Sequence, residues 1–245
     1  MPRPVDPDEI RRRHLLKALA AGVLPATWGA TSKADLLGGR PARLPPGQSI
    51  YRLAGDVAIN GTPATARTVI SAADTIETGR NGVIIFVVGS NSYLLRSNSQ
   101  LRLGGSGSGD GLVTTGLRLL TGKLLSVFGK AHRTIRLETL TATIGIRGTG
   151  VYVEADPEQT YFCTCYGIAD IQASSDPTSI LTVTTTHHES PVYVLDNPKA
   201  PGRNIRPAPF ISHTDQELML IETLVGRTPP FVFPGSAYET PRRDY

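Results

Sequence analysis

Two cysteines and a handful of histidines carry the chemistry this chain could do. Cys163 and Cys165 are its only cysteines, separated by Thr164 within a run of β-forming residues that includes Thr160, Tyr161, Phe162 and Tyr166. Residues i and i+2 of a strand share a face, so both sulfurs point the same way. In a regular strand their Cα atoms lie about 6.5–7 Å apart, at or beyond disulfide reach, so an internal bridge requires a bent strand. In an oxidising compartment the pair therefore stays reduced, closes in a distorted turn, bridges to another chain or binds a metal. His187, His188 and Glu189 stand in a polar turn after Thr184, Thr185 and Thr186, and His213 lies further along. Two thiolates with one or two imidazoles suit tetrahedral Zn²⁺ or Cu⁺. The spacing is not that of a zinc finger, and only one of the adjacent His187 and His188 can face the sulfurs. His213 precedes a capping box and is assigned to the start of a helix. The leading expectation is the inert one: a buried cysteine often serves as a small apolar residue, so no cofactor is expected, and Zn or Cu is the alternative.

The elements that must position these groups are strands. Leu, Ile, Val and Phe fall in many short runs separated by Gly, Ser, Asn and Pro, the pattern of an all-β sandwich, barrel or solenoid. Candidate strands are 55–59, 83–88, 93–96, 101–103, 117–125 with Gly122 inside it, 160–162, 167–171, 180–185 and 192–195. The segment 104–111, GGSGSGDG, lacks the Lys-Ser/Thr of a phosphate-binding loop and reads as a mobile hairpin tip. One helix is predicted at about 214–225. Thr214 and Glu217 form a capping box, Leu218, Ile221, Leu224 and Val225 share a face, and Gly226 is a C′ glycine before Pro229 and Pro230.

Residues 141–154, TATIGIRGTGVYVE, combine β-branched residues with Gly145, Gly148 and Gly150, which marks a bulge or corner where backbones approach closely. Hydrogen bonds from Arg147 to carbonyls are expected to pin that corner. The set Thr139, Ala142, Gly145, Ile146, Arg147, Gly148, Thr149, Val151 and Val153 resembles the central motif of the FecR domain family. The resemblance extends over residues 50–175 and implies a compact all-β domain of short strands, partly solenoidal or sandwich-like. Gly145 to Thr149 are then structural residues, and the C-terminal extension, 176–227, carries further short strands and the single helix. A Pro-rich tail follows at 228–245.

The N-terminus reads as an address. Arg12-Arg13-His14-Leu15-Leu16-Lys17 matches a twin-arginine export pattern, followed by a weakly apolar stretch, 18–30, too short to span a membrane. Ser32-Lys33-Ala34 offers a cleavage site, so 1–34 is expected to be a signal peptide and 35–49 a linker. The expected location is the periplasm. No room remains for a cytosolic anti-sigma segment ahead of this signal, so a stand-alone exported module is expected.

The formal charge of +4 does not point to nucleic acid. The first 34 residues hold six of the 25 basic and three of the 21 acidic residues, which leaves 19 against 18. No basic cluster interleaved with aromatics remains to follow a phosphate backbone. No GxSxG, HExxH or P-loop occurs, and the carboxylates are scattered, so an enzyme is unsupported. The leading function is a non-catalytic binding or signalling module that meets an envelope protein or cell-envelope ligand; the alternative is a metal-binding or thiol-redox protein using Cys163 and Cys165 with a nearby histidine.

Overall fold

The computed structural model describes residues 42–106, 113–129, 134–196 and 204–231. All of these fall in the second of two compact units, Pro41–Tyr245. The signal segment, the first part of the linker (35–41), residues 107–112 of the glycine-rich segment and most of the Pro-rich tail lie outside the described residues.

Among the described residues fourteen strands form one continuous hydrogen-bonded sheet, and one helix covers part of it. The domain is all-β with a single helix near the C-terminus, as the residue pattern predicts. Most strands are short, but β8 (Val113–Val127), β10 (Ala142–Ala155) and β11 (Gln159–Ala173) are long and organise the rest. β10 and β11 pair antiparallel from end to end. Along its other edge β10 pairs first with β9 (Ile135–Glu138) and then with the second half of β8. The free edge of β11 is divided between β12 (Ile180–Thr185) and β13 (Val192–Leu195), so the C-terminal extension is woven into the same sheet. β8 likewise carries β7 (Gln100–Ser106) on its first half and β6 (Asn91–Leu95) on its second. A strand that changes partners halfway must bend, and the sheet thereby folds over its own interior.

That interior is mainly aliphatic. Ile84, Phe86, Leu95, Leu101, Leu119, Leu124, Ile144, Val153, Phe162 and Ile171 are all within it and almost wholly buried. The first strand begins earlier than the glycine signal suggests. β1 is Ile50–Ala54, Gly55 is the turn, and β2 is Val57–Ile59. Gly55 has φ +63°, and a Cβ there would lie 2.1 Å from the Asn81 carbonyl oxygen, so only glycine fits.

The motif of residues 144–153 lies within one strand. In β10 the inward residues are Ala142, Ile144 and Ile146, and then Val151, Val153 and Ala155, so the parity changes between them. The pairing explains this. It passes from Arg147 opposite Ile168 to Gly150 opposite Tyr166, leaving one extra residue in β10, and Gly148 takes φ +57° there. The next step goes from Gly150 opposite Tyr166 to Val151 opposite Thr164, and here Cys165 is the extra residue in β11. Two opposed bulges in succession restore the register and bend both strands together. Arg147 does not pin the corner through carbonyls. Its guanidinium pairs with the Asp170 carboxylate on the exposed side of β11, because at this point in the pleat the side chain faces solvent.

The one helix among the described residues, α1 (Asp215–Leu224), is capped as its sequence requires. The Thr214 hydroxyl accepts from the Glu217 N–H, the Glu217 carboxylate accepts from the Thr214 N–H, and Gly226 has φ +74° beyond the C-terminus. Leu218, Ile221 and Leu224 face the outer side of the sheet, where they meet a second apolar layer containing Ile85, Leu94, Leu125, Val127 and Tyr152. Burial of each of these helix side chains contributes about 1.5–3 kcal/mol. Gly150 makes this packing possible, because a Cβ there would sit 2.6 Å from the Tyr166 ring and 3.2 Å from Leu218. Among the described residues no helix is long and apolar enough to cross a membrane.

Candidate metal centre

Cys163 and Cys165 both face the layer beneath α1 and are fully buried free thiols. Three parts of the chain converge on them. β11 supplies the two sulfurs, with Cys165 projected by its bulge. The turn after β12 supplies His188, which has φ +54°. Such a conformation is costly for a residue with a Cβ and is held here by local bonds. The His188 N–H donates to the Cys165 carbonyl at 2.9 Å. Within the same turn the Glu189 carboxylate accepts from the Thr186 N–H and the Thr185 hydroxyl, both at 3.0 Å. These bonds, the Thr186 N–H first, hold the Glu189 carboxyl below its usual range.

The third part is the segment leading into α1, which supplies His213. The Tyr161 hydroxyl donates to the Pro209 carbonyl and accepts from the Ile211 N–H. The Arg96 guanidinium donates to the Ser212 carbonyl at 3.0 Å and pairs with the capping-box Glu217 at 2.8 Å. His213 is thereby fixed with its ring stacked on Tyr152, centroids 4.4 Å apart, and is only 3% exposed. Phe210 closes over both His188 and His213, with centroid separations of 4.6 and 4.7 Å.

The four donor atoms, the sulfurs of Cys163 and Cys165, Nδ1 of His188 and Nε2 of His213, all lie within 4.8 Å of one another. Cys163 Sγ is 3.7 Å from His188 Nδ1, Cys165 Sγ is 3.5 Å from His213 Nε2, and the two nitrogens are 3.1 Å apart. A tetrahedral ion with bonds of about 2.3 Å to sulfur and about 2.0–2.1 Å to nitrogen would set N···N and N···S edges of about 3.3 and about 3.5 Å. The observed edges match this within a few tenths of an ångström.

The outer ring nitrogens determine what the inner ones offer. His213 Nδ1 is 2.8 Å from the Ile211 carbonyl, which can only accept, so Nδ1 carries the proton and the neutral ring turns the Nε2 lone pair inward. His188 Nε2 is 2.7 Å from Asp215 Oδ1, so its Nδ1 lone pair also faces inward when the ring is neutral. A carboxylate and a carbonyl behind the two imidazoles are the outer contacts that orient metal-binding histidines. Asp215, 1% exposed, uses its second oxygen to accept from His187 Nε2 at 2.8 Å. His187 therefore lies behind Asp215 and does not reach the sulfurs. Its ring packs on Phe231, centroids 4.4 Å apart.

The neighbouring sulfurs ionise in opposite senses. A hydrogen bond from Cys165 is the main influence that lowers the Cys163 thiol to about 4; burial opposes it and the His188 contact assists. Burial, followed by the adjacent Cys163 sulfur, pushes Cys165 up. One shared negative charge on the pair satisfies both directions. Burial pulls the His188 pKa down, but the contacts with Cys163 and Asp215 outweigh it and the net direction is upward.

Of the four ligand candidates, the fold brings Cys163, Cys165 and His188 together and leaves His187 on the far side of Asp215. His213 occupies the helix start as expected and is also a buried member of the cluster. Asp215 and Tyr152 were not among the candidates. The only sequence signal for Asp215 is its position as an acidic residue in the first turn of α1, which helix capping explains equally well.

No protein-family model matches this chain, and no curated protein matches it. Among solved structures it is similar to a candidate anti-sigma factor from Parabacteroides distasonis, in crystal structures at 1.65 and 2.50 Å resolution. Each match has 11% identity and a TM-score of 0.42, and covers 55% of this chain. The matched part spans 58% of the length of that protein.

Proposed function

We propose that this chain is a non-catalytic β module that binds one metal ion, Zn²⁺ or Cu⁺, through Cys163, Cys165, His188 and His213. The observation that carries this reading is the pair of inward imidazole nitrogens, 3.1 Å apart beside two buried sulfurs. Two lone pairs so placed repel one another unless a proton or a cation lies between them, and the two outer hydrogen bonds assign the protons of the neutral rings to the far nitrogens. The test is elemental analysis of protein purified from its own host beside a Cys163→Ser/Cys165→Ser variant. One equivalent of metal in the wild-type chain and none in the variant is expected. Metal-free protein in which both thiols are inert would overturn the reading.

The FecR-like motif Gly145 to Thr149 and the Arg12-Arg13 pattern favour a second reading that is compatible with the first. In it the module is exported to the periplasm and presents its β surface to an envelope protein or cell-envelope ligand in signalling. Replacing Arg12 and Arg13 by lysine should abolish secretion of a reporter fused behind residues 1–34, and continued secretion would remove the export half. Retention of a specific envelope protein by the mature domain in pull-down is expected, and retention of none would remove the binding half.

A further inference from the structure

We infer that the ion is Zn²⁺ and that it acts as a clamp, fastening α1 to the sheet. This rests on the metal reading above and specifies its role. The donors come from β11, from the turn after β12 and from the residue immediately before the N-cap of α1, so one ion cross-links three segments far apart in sequence. Asp215, the first residue of α1, holds His188 from behind and ties the helix to the site a second time. α1 has only ten residues. Helices shorter than about 12–15 residues are marginal alone, so this one depends on what docks it.

The surroundings of the donors separate a clamp from a site that delivers its metal. Both sulfurs are fully buried, His213 is 3% exposed and the His188 side chain 8%. Tyr152 and Phe210 cover the imidazoles. Four protein donors complete a tetrahedron and leave no position for water or substrate, which is the arrangement of structural zinc sites. Charge favours the divalent ion as well. Two thiolates neutralise Zn²⁺, whereas with Cu⁺ a net negative charge would remain beside the buried Asp215 carboxylate. Cu⁺ is also satisfied by soft thiolates alone and has less need of the imidazoles that connect to α1. Because such a site forms only on folding, the binding free energy of the ion is expressed as order in the segments it joins.

The experiment uses the full chain, stripped of metal by a chelator and then given one equivalent of Zn²⁺ or, under anaerobic reducing conditions, Cu⁺. Amide hydrogen exchange is followed in α1, with β7, whose Leu101 and Leu103 belong to the interior alone, as an internal reference. Zn²⁺ should slow exchange in α1 at least tenfold and leave β7 unchanged, and Cu⁺ should protect α1 less. Binding of Zn²⁺ with no change in α1 would overturn the clamp and leave the metal reading intact. Equal protection by Cu⁺ would overturn the assignment of zinc. Failure of the chain to bind either ion would overturn both the clamp and the reading beneath it. His213→Gln should abolish the zinc-dependent protection, and since the wild-type titration stands by itself, a variant that fails to fold does not affect the result.

Discussion

The two apolar layers of this protein are built on different terms. The interior enclosed by the sheet is aliphatic apart from Phe86, Tyr93, Phe128 and Phe162, and comes from strands that alternate inward and outward. The layer beneath α1 mixes Leu125, Val127 and the helix leucines with Tyr152, Tyr161, Cys163, Cys165 and Tyr166, and the histidines stand at its edge. The first layer needs only side chains of suitable volume on one face. The second needs polar groups in fixed orientations, which requires hydrogen bonds behind each of them. The contrast separates stability from chemistry: the interior holds the sheet together, and the outer layer holds the donors.

Phe162→Ala should show the largest effect, since it empties part of the interior. A loss of about 3–5 kcal/mol is expected in chemical denaturation, the usual cost of removing a buried aromatic side chain. The folded fraction should keep its metal stoichiometry, and loss of metal without loss of stability would break the division between the layers. Gly150→Ala addresses the outer layer alone. The added methyl group meets the Tyr166 ring and Leu218, and overpacking of this kind costs about 1–3 kcal/mol. The damage should appear as faster amide exchange in α1, with β7, which contributes only to the interior, unaffected. Faster exchange in both would mean that the layers are not separable.

Asp215→Asn sharpens the comparison by changing a charge and hardly any volume. Loss of an outer carboxylate behind a metal-binding histidine typically costs about 10–100-fold in affinity, which competition against a chromophoric chelator would measure. An unchanged affinity would show that Asp215 serves only the helix start. The smallest effect is expected at Glu222, which is buried at the far end of α1, accepts from the Tyr166 hydroxyl and pairs with Arg227. Burial raises its pKa above 4.5, and Arg227 counters only part of this. A group raised in the folded state contributes stability that is present below its unfolded pKa and is lost as pH rises through the folded value. Glu222→Gln should therefore flatten the decline in stability as pH rises above about 4.5. A denaturation series across that range checks the sign, and a steeper decline in the variant would reverse it.

Much of this molecule was legible in its residues. The strands announced themselves through β-branched runs between turn residues, and the capping box placed α1 to within a residue at each end. The i, i+2 relation puts both sulfurs on one face, and of the adjacent histidines it is His188 that lies beside them. The glycines around Arg147 suggest carbonyl contacts, but in a bulged strand the local pattern does not fix whether a side chain faces carbonyls or solvent, and here it meets Asp170. His213 reads as the helix start and nothing more, since a histidine before a capping box carries no mark of what lies across from it.

What the sequence determined by itself is therefore local: strand and helix propensity, the face on which Cys163 and Cys165 stand, and the glycines that permit the bulge at Gly148 and the close packing at Gly150. The tertiary structure decided the rest. Opposed bulges placed Cys165 as the extra residue of β11, the turn after β12 brought His188 over it, and the segment before α1 brought in His213 with Asp215 behind. The physical reason is that a tetrahedral donor set is defined by distances across space and by which ring nitrogen holds its proton. Both are set by neighbours from other segments, so neither can be read from spacing along the chain.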